Sequence, residues 1–405
     1  MDQAQLSKFQ RKTIRVLITG QALSGFGLGA TVSMGALLSE KIAGTAAASG
    51  AGATFNTLGA AVWALILSRI AVKAGRRVAL ASGAALAISG AATIIWAATL
   101  VSFPLLVVGI FMLGAASATG LQARFTANDV PNPTRAGRDL SMVVWATTIG
   151  SVISPNLLSV GDEIGQGIGL PQYTGPFLLT MLGQILATAV FWFGLRPDPL
   201  KVARELDKSE RKVSLKSGFQ TLKRNRTALF AVLAIALSHM VMVGVMSMTP
   251  VHMEGMEFGL VIIGFTISLH VAGMYAFSPL FGWLVDKLGS IRVILIGQFT
   301  YFAALLFAGL GSHDRVLITI GLFLLGLGWS AATVAGSALL SKSLQIHEKA
   351  NVQGISDSFM SLSGAIGGLL AGGILSLIGY TGLNFVAFVP VVGVLLLMAL
   401  NRKTK

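Results

Sequence analysis

The chain contains no cysteine and few charged residues, with Asp, Glu, Lys and Arg together making up only 11% of its 405 residues. The first absence excludes disulfides, thiolate metal centres and cysteine nucleophiles. The second sets it apart from soluble domains, in which about a quarter of residues carry charge. Acidic residues are scarcest, 16 against 30 Lys and Arg, for a net charge of +14. Catalytic signatures are missing as well. No phosphate loop, nucleophile elbow or zinc-binding helix motif occurs, so an enzyme is not expected.

Apolar residues fill that space, at 54% of the chain, and the mean hydropathy is +0.77. Apolar runs of about 20 residues recur along the whole length, each able to cross a bilayer core of roughly 30 Å. Twelve spans are expected, at 13–38, 47–72, 77–99, 102–125, 140–160, 174–195, 227–249, 259–284, 291–311, 315–340, 352–378 and 384–400. The fold class is therefore an all-α polytopic membrane protein. The first span follows a basic arm, Lys8, Arg11 and Lys12, and is too long for a removable signal peptide.

The basic excess has a topological cause. With the N-terminus inside, only Lys41 and Arg315 of the 30 basic residues fall outside, leaving 28 at cytoplasmic ends or loops. This positive-inside asymmetry predicts both termini in the cytoplasm and an even number of spans. The lipid bilayer accounts for the charge, and no nucleic-acid partner is expected.

One long polar stretch, Arg196 to Arg226, divides the spans six and six. It is expected to be a cytoplasmic linker, partly an amphipathic helix on the anionic inner leaflet. The domains expected are thus 1–195 and 227–405, each a six-helix bundle, joined by 196–226.

Each half carries a related loop. "GWLVDKLGSIR", from Gly282 through Asp286, Lys287 and Gly289 to Arg292, lies between spans 8 and 9, and "SRIAVKAGRRV", Ser68 to Val78, between spans 2 and 3. Both resemble the Gly-x-Leu-x-Asp-Arg/Lys-x-Gly loop of the major facilitator superfamily, with Val72 replacing the acidic residue in the first copy. The resemblance implies two pseudo-symmetric bundles around a midplane cavity, open alternately to each side.

Polar residues inside apolar spans are candidate cavity residues: Gln21, Asn56, Gln122, Arg124, Asn156, His239, His270, Gln353 and Asp357. The alternative for each is helix-to-helix hydrogen bonding. Asp357 is a candidate for proton coupling, or else pairs with Lys349 or caps its helix. "GSVISPN", Gly150 to Asn156, weakly resembles the Gly-x-x-x-Gly-Pro motif of drug and proton antiporters, although Gly and Pro also permit packing and a bend.

Residues 238–275 hold seven of the fourteen methionines and three of the five histidines. Met242 and Met246 share a helix face, as do His270 and Met274, because each pair is spaced i, i+4. Met242 would lie about 10 Å below the outer end of span 7, and His270 about 16 Å below that of span 8. Thioethers are soft ligands suited to Cu(I), and imidazole also binds copper, whereas Mg, Ca and Mn prefer oxygen. Copper, bound as Cu(I) and transported rather than held as a prosthetic group, is the natural ion. His252, Met253 and Met256, in the turn between these spans, are a candidate entry point. Packing is the alternative, since methionine is a common filler of apolar space.

The pair Met242-x-x-x-Met246 and His270-x-x-x-Met274 resembles the motifs of CcoA-like copper importers, a bacterial branch of the major facilitator superfamily. That resemblance implies a place in the bacterial inner membrane, metal binding by these four residues, copper uptake, and delivery through a cytoplasmic acceptor to cytochrome oxidase assembly. The same branch includes riboflavin importers, so an organic-solute carrier, riboflavin-type or drug/proton antiporter, is the rival. Trp145 and Trp329 would then stack on the solute.

Overall fold

The computed structural model describes residues 3–44, 51–130, 135–206, 215–258 and 260–402, and within them it is helical, without strands. The helices are α1 (Gln3–Ala43), α2 (Ala51–Ala74), α3 (Arg76–Thr99), α4 (Phe103–Thr126), α5 (Ala136–Ile153), α6 (Leu158–Gly167), α7 (Gly175–Gly194) and α8 (Pro199–Leu206). They continue as α9 (Leu215–Arg224), α10 (Arg226–Gly255), α11 (Leu260–Tyr275), α12 (Ser278–Leu288), α13 (Ser290–Leu310), α14 (Arg315–Ser343), α15 (Ile346–Val386) and α16 (Phe388–Arg402). Within the described residues each expected span falls largely on helix. Among the described residues nine stretches are long and apolar enough to cross a membrane, and the last, Ile346–Leu400, contains two of the expected spans.

Two expected spans are broken rather than straight. Span 5 leaves α5 at Ile153, passes through a 3₁₀ turn at Ser154–Leu157 and resumes as α6. Pro155 has no N–H for the helix ladder, which favours a break there. Span 8 stops at Tyr275 and restarts at Ser278, with a proline in the first turn of α12, where its missing donor is harmless. A third irregularity, Gly379 with φ 71 and ψ −178, interrupts α15 in a conformation that disfavours any residue with a Cβ.

The chain forms two compact units: residues 1–132, 146–218 and 345–358 make the first, and 133–145, 219–344 and 359–405 the second. Neither unit is contiguous, because α5 and α15 each contribute to both. In the first unit, small residues bring helix backbones together. A Cβ added at Gly90 of α3 would sit 2.6 Å from the Leu113 nitrogen, and one at Gly109 of α4 would sit 2.9 Å from the Ile94 nitrogen. Lipid tails are as apolar as Leu, so this close van der Waals approach, rather than water exclusion, holds spanning helices together.

The linker contains α8 and α9, in part as expected, but the apolar face of α8 is covered by protein. Leu200 packs with Ala71, Ala79 and Ala350, and Val202 and Ala203 with Phe9 and Val130. This face is therefore unavailable to the lipid leaflet. Asp198 fixes the join. Its carboxylate accepts hydrogen bonds from the Arg77 N–H at the start of α3 (2.7 Å) and from the Leu200 and Lys201 N–H groups opening α8 (3.0 and 3.2 Å). One side chain thus caps two helices, with Gly75 (φ 102) supplying the turn that admits it. Caps contribute about 1 kcal/mol each. Asp198→Ala is expected to cost about 2 kcal/mol, measured by thermal unfolding in detergent, and an unchanged midpoint would refute the double cap.

Candidate substrate site

In the second unit α11 packs along α14 at a point with no room for side chains. A Cβ on Gly326 would collide with the His270 carbonyl oxygen and lie 3.0 Å from the Met274 nitrogen. A Cβ on Gly273 would lie 2.7 Å from the Phe323 oxygen. This approach places the His270 ring against α14, where its Nδ1 is 2.8 Å from the Leu322 carbonyl oxygen. A carbonyl only accepts, so the ring proton sits on Nδ1 and Nε2 carries a bare lone pair. The residue is wholly buried, and Nε2 has no hydrogen-bond partner among the described residues. Leaving a buried polar atom unpaired costs about 1–3 kcal/mol.

That tautomer suits a metal ligand, whose second nitrogen is commonly oriented by a backbone carbonyl. Met242 and Met274 are buried at 3% and 6% exposure, and Met246 is half-buried. Met242 and Met246 lie one turn apart on α10, and His270 and Met274 one turn apart on α11, with the two helices in contact. The opposite stripe of α10 brings backbone at Met240 and Gly244 up to Gly367 of α15. His239, on the same face as Met242 and Met246 by its i, i+3 and i, i+7 spacing, has its ring against Gly364.

His239 has a structural assignment. The Trp329 indole N–H donates to its Nδ1 at 2.9 Å, and Tyr275 meets Trp329 edge-on at 5.5 Å. Trp329 is 4% exposed, so it is a packed core aromatic, while Trp145 is half-buried. Gln21 and Gln122 bond across helices, to the Gly120 oxygen and Thr147 Oγ1, and to the Ala64 oxygen. The Asn156 side chain lies outside the described residues.

Asp357 pairs with Arg124 at 2.6 Å, with exposures of 0% and 2%, rather than with Lys349, whose ammonium donates to the Asn128 oxygen. It is buried beyond the first turns of α15, out of reach of the helix start, so it is not a cap. A second buried pair, Arg76–Asp129 at 2.8 Å, adds a hydrogen bond from Arg76 to Gln353. Sequence reading missed Arg76 and Asp129, which lie at span ends where charge needs no special explanation.

In the loop Gly282–Arg292, Asp286 accepts from the Gly137 and Arg138 N–H groups at 3.0 Å each, capping the first turn of α5. Gly282 lets that turn approach, since a Cβ would strike Ser141 Oγ. Lys287 lies over the Trp283 ring at 4.3 Å, Gly289 makes the turn at φ 84, and Arg292 is exposed. The first copy has no such acid. Val72 packs in an apolar cluster, and its carbonyl accepts from Arg204. Asp198, from outside the loop, performs the capping there.

At the far end of α10 is a pocket of about 470 Å³, whose wall includes His252, Met256, Ser312, His313, Tyr380 and Thr381. Two of the three expected entry residues are brought together here. Met253 is fully buried and outside the lining. Among the described residues no group of three or more His, Asp or Glu side chains is arranged to hold a metal.

Long apolar helices, buried polar groups and helix-capping loops define a polytopic transport protein. The sequence model of the Major Facilitator Superfamily matches residues 17–274 and 260–405, so the chain belongs to that superfamily of transporters. It is 35% identical over 383 residues to the uncharacterized MFS-type transporter YddS of Bacillus subtilis, covering 93% of this chain and 88% of that one. It is 25% identical over 399 residues to the riboflavin transporter RfnT of Brucella anthropi, covering 98% and 97%. The human organic anion transporter MFSD10 shares the fold, with a TM-score of 0.76 at 15% identity over 96% of this chain and 99% of that one.

Proposed function

We propose that the chain imports copper across a bacterial inner membrane by alternating access, with both termini in the cytoplasm. Copper, carried as Cu(I), would bind Met242, Met246, His270 and Met274 and pass to a cytoplasmic acceptor for cytochrome oxidase assembly. The observation that carries this reading is the buried, unpartnered Nε2 of His270, with its tautomer set by the Leu322 carbonyl. Packing accounts for the buried methionines, and a ligand role gives the bare Nε2 lone pair of His270 a use. Neutral ligands also suit transport, because they strip the ion's water without burying a charge.

A second reading, a riboflavin-type carrier, is favoured by the full-length similarity to RfnT. The packed state of Trp329 weighs against its stacking on a solute. Cells with and without the gene, grown in limiting copper, test the first reading, and purified protein is offered Cu(I) and riboflavin in parallel. Higher cellular copper and Cu(I) binding are expected. Riboflavin binding without copper binding would replace the copper reading with the second.

A further inference from the structure

We infer that the pocket at the end of α10 is a separate metal-capture site, with His313 joining His252 and Met256 as soft ligands for an incoming copper ion. This inference rests on the copper reading for the identity of the ion. His252 is on α10 and His313 in the turn between α13 and α14, yet both rings engage Ser312. His252 Nε2 lies 2.6 Å from the Ser312 carbonyl oxygen, and His313 Nδ1 lies 3.0 Å from Ser312 Oγ.

The tautomer argument made for His270 applies again. The Ser312 carbonyl can only accept, so the His252 proton sits on Nε2 and its lone pair is on Nδ1. Carbonyl orientation of the non-ligating nitrogen is the usual second-shell device of metal-binding histidine. The ring is also held in place by Tyr380, which stacks on it at 4.3 Å and 5°. Tyr380 is fixed in turn by a 2.8 Å hydrogen bond with Thr249, and Ser312 Oγ by one of 3.0 Å from Thr381. Gly379 breaks α15 beside these residues, and its neighbours Ile378, Tyr380 and Thr381 join the pocket wall.

Most of this support is directed at His252, while the His313 ring is held by its contact with Ser312 Oγ. His313 is exposed and Met256 half-buried, as a site that takes up an ion and releases it requires. Two imidazoles and a soft thioether form a nitrogen and sulfur donor set that prefers copper to Mg or Ca.

The test uses purified full-length protein in detergent, with Cu(I) under reducing, anaerobic conditions and a coloured Cu(I) chelator as competitor. The variants are His313→Ala with Met256→Leu, and His270→Ala. Wild type is expected to hold one more copper than the pocket double variant, and the double variant is expected to raise the copper concentration for half-maximal uptake about tenfold or more without lowering the maximal rate. Equal copper content and equal half-maximal concentration in wild type and the double variant would overturn the inference even if His270→Ala abolishes uptake. Loss of a copper from the double variant, with none lost from His270→Ala, would leave the pocket site standing and remove the transport site. If wild type binds no Cu(I), both are overturned.

Discussion

Replacing Met242 and His270 together should reduce copper accumulation to that of cells without the gene, while the protein still reaches the membrane. Alanine is not the best probe, because truncating a buried methionine costs about 2–5 kcal/mol through the cavity it leaves. Met242→Leu conserves volume and costs less than about 1.5 kcal/mol. His270→Asn places an amide N–H where the imidazole Nδ1 stands and can donate to the Leu322 carbonyl, so the contact between α11 and α14 persists. This pair of changes keeps the shape and removes the soft donors. If the residues are packing alone, uptake by the double variant will equal that of wild type, and the four-residue site is then eliminated. If they are ligands, loss of two donors removes the copper bound at this site while the unfolding midpoint moves only a few degrees.

How far the sequence discloses this molecule depends on the range of the interaction involved. Twelve apolar runs are readable because span length is set by the bilayer, and within the described residues they are largely helical, with breaks in the fifth and eighth. The breaks at Pro155 and near Pro279 have a local cause and could be located from proline alone. The cap by Asp198 is also locally signalled, since an Asp directly before Pro199 is a helix-start signature, but its second bond to Arg77 joins residues 121 apart. His313 lies outside the methionine-rich stretch. Its signal was topological, because the turns at 251–258 and 311–314 fall on the same side of an alternating set of spans. Arg124–Asp357, 233 positions apart, has no local signal, and the same holds for Arg76–Gln353 at 277. Such pairs follow from packing, not from pattern.

The Arg124–Asp357 pair yields the second large expected effect. Both side chains are essentially without solvent, and their 2.6 Å contact makes each the other's principal neutraliser. Removing one partner strands a buried charge, which typically costs about 3–5 kcal/mol, whereas removing both can be nearly neutral. Asp357→Ala and Arg124→Ala are each expected to lower the unfolding midpoint in detergent strongly, and Arg124→Met with Asp357→Leu to regain most of the loss. Additive losses would mean that the two residues do not depend on one another. The same double variant separates two roles for Asp357. A carboxylate that only neutralises Arg124 can be dispensed with once the arginine is gone, so the double variant should retain the copper uptake expected of wild type. A proton-coupling carboxylate cannot be dispensed with, because no other group at that position would exchange a proton. The clasp role is favoured by geometry: Asp357 Oδ1 is held by Arg124, and Arg76 and Lys349 of the same unit are engaged by Asp129, Gln353 and the Asn128 oxygen. A double variant that is stable yet no longer concentrates copper would transfer Asp357 from the scaffold to the coupling machinery.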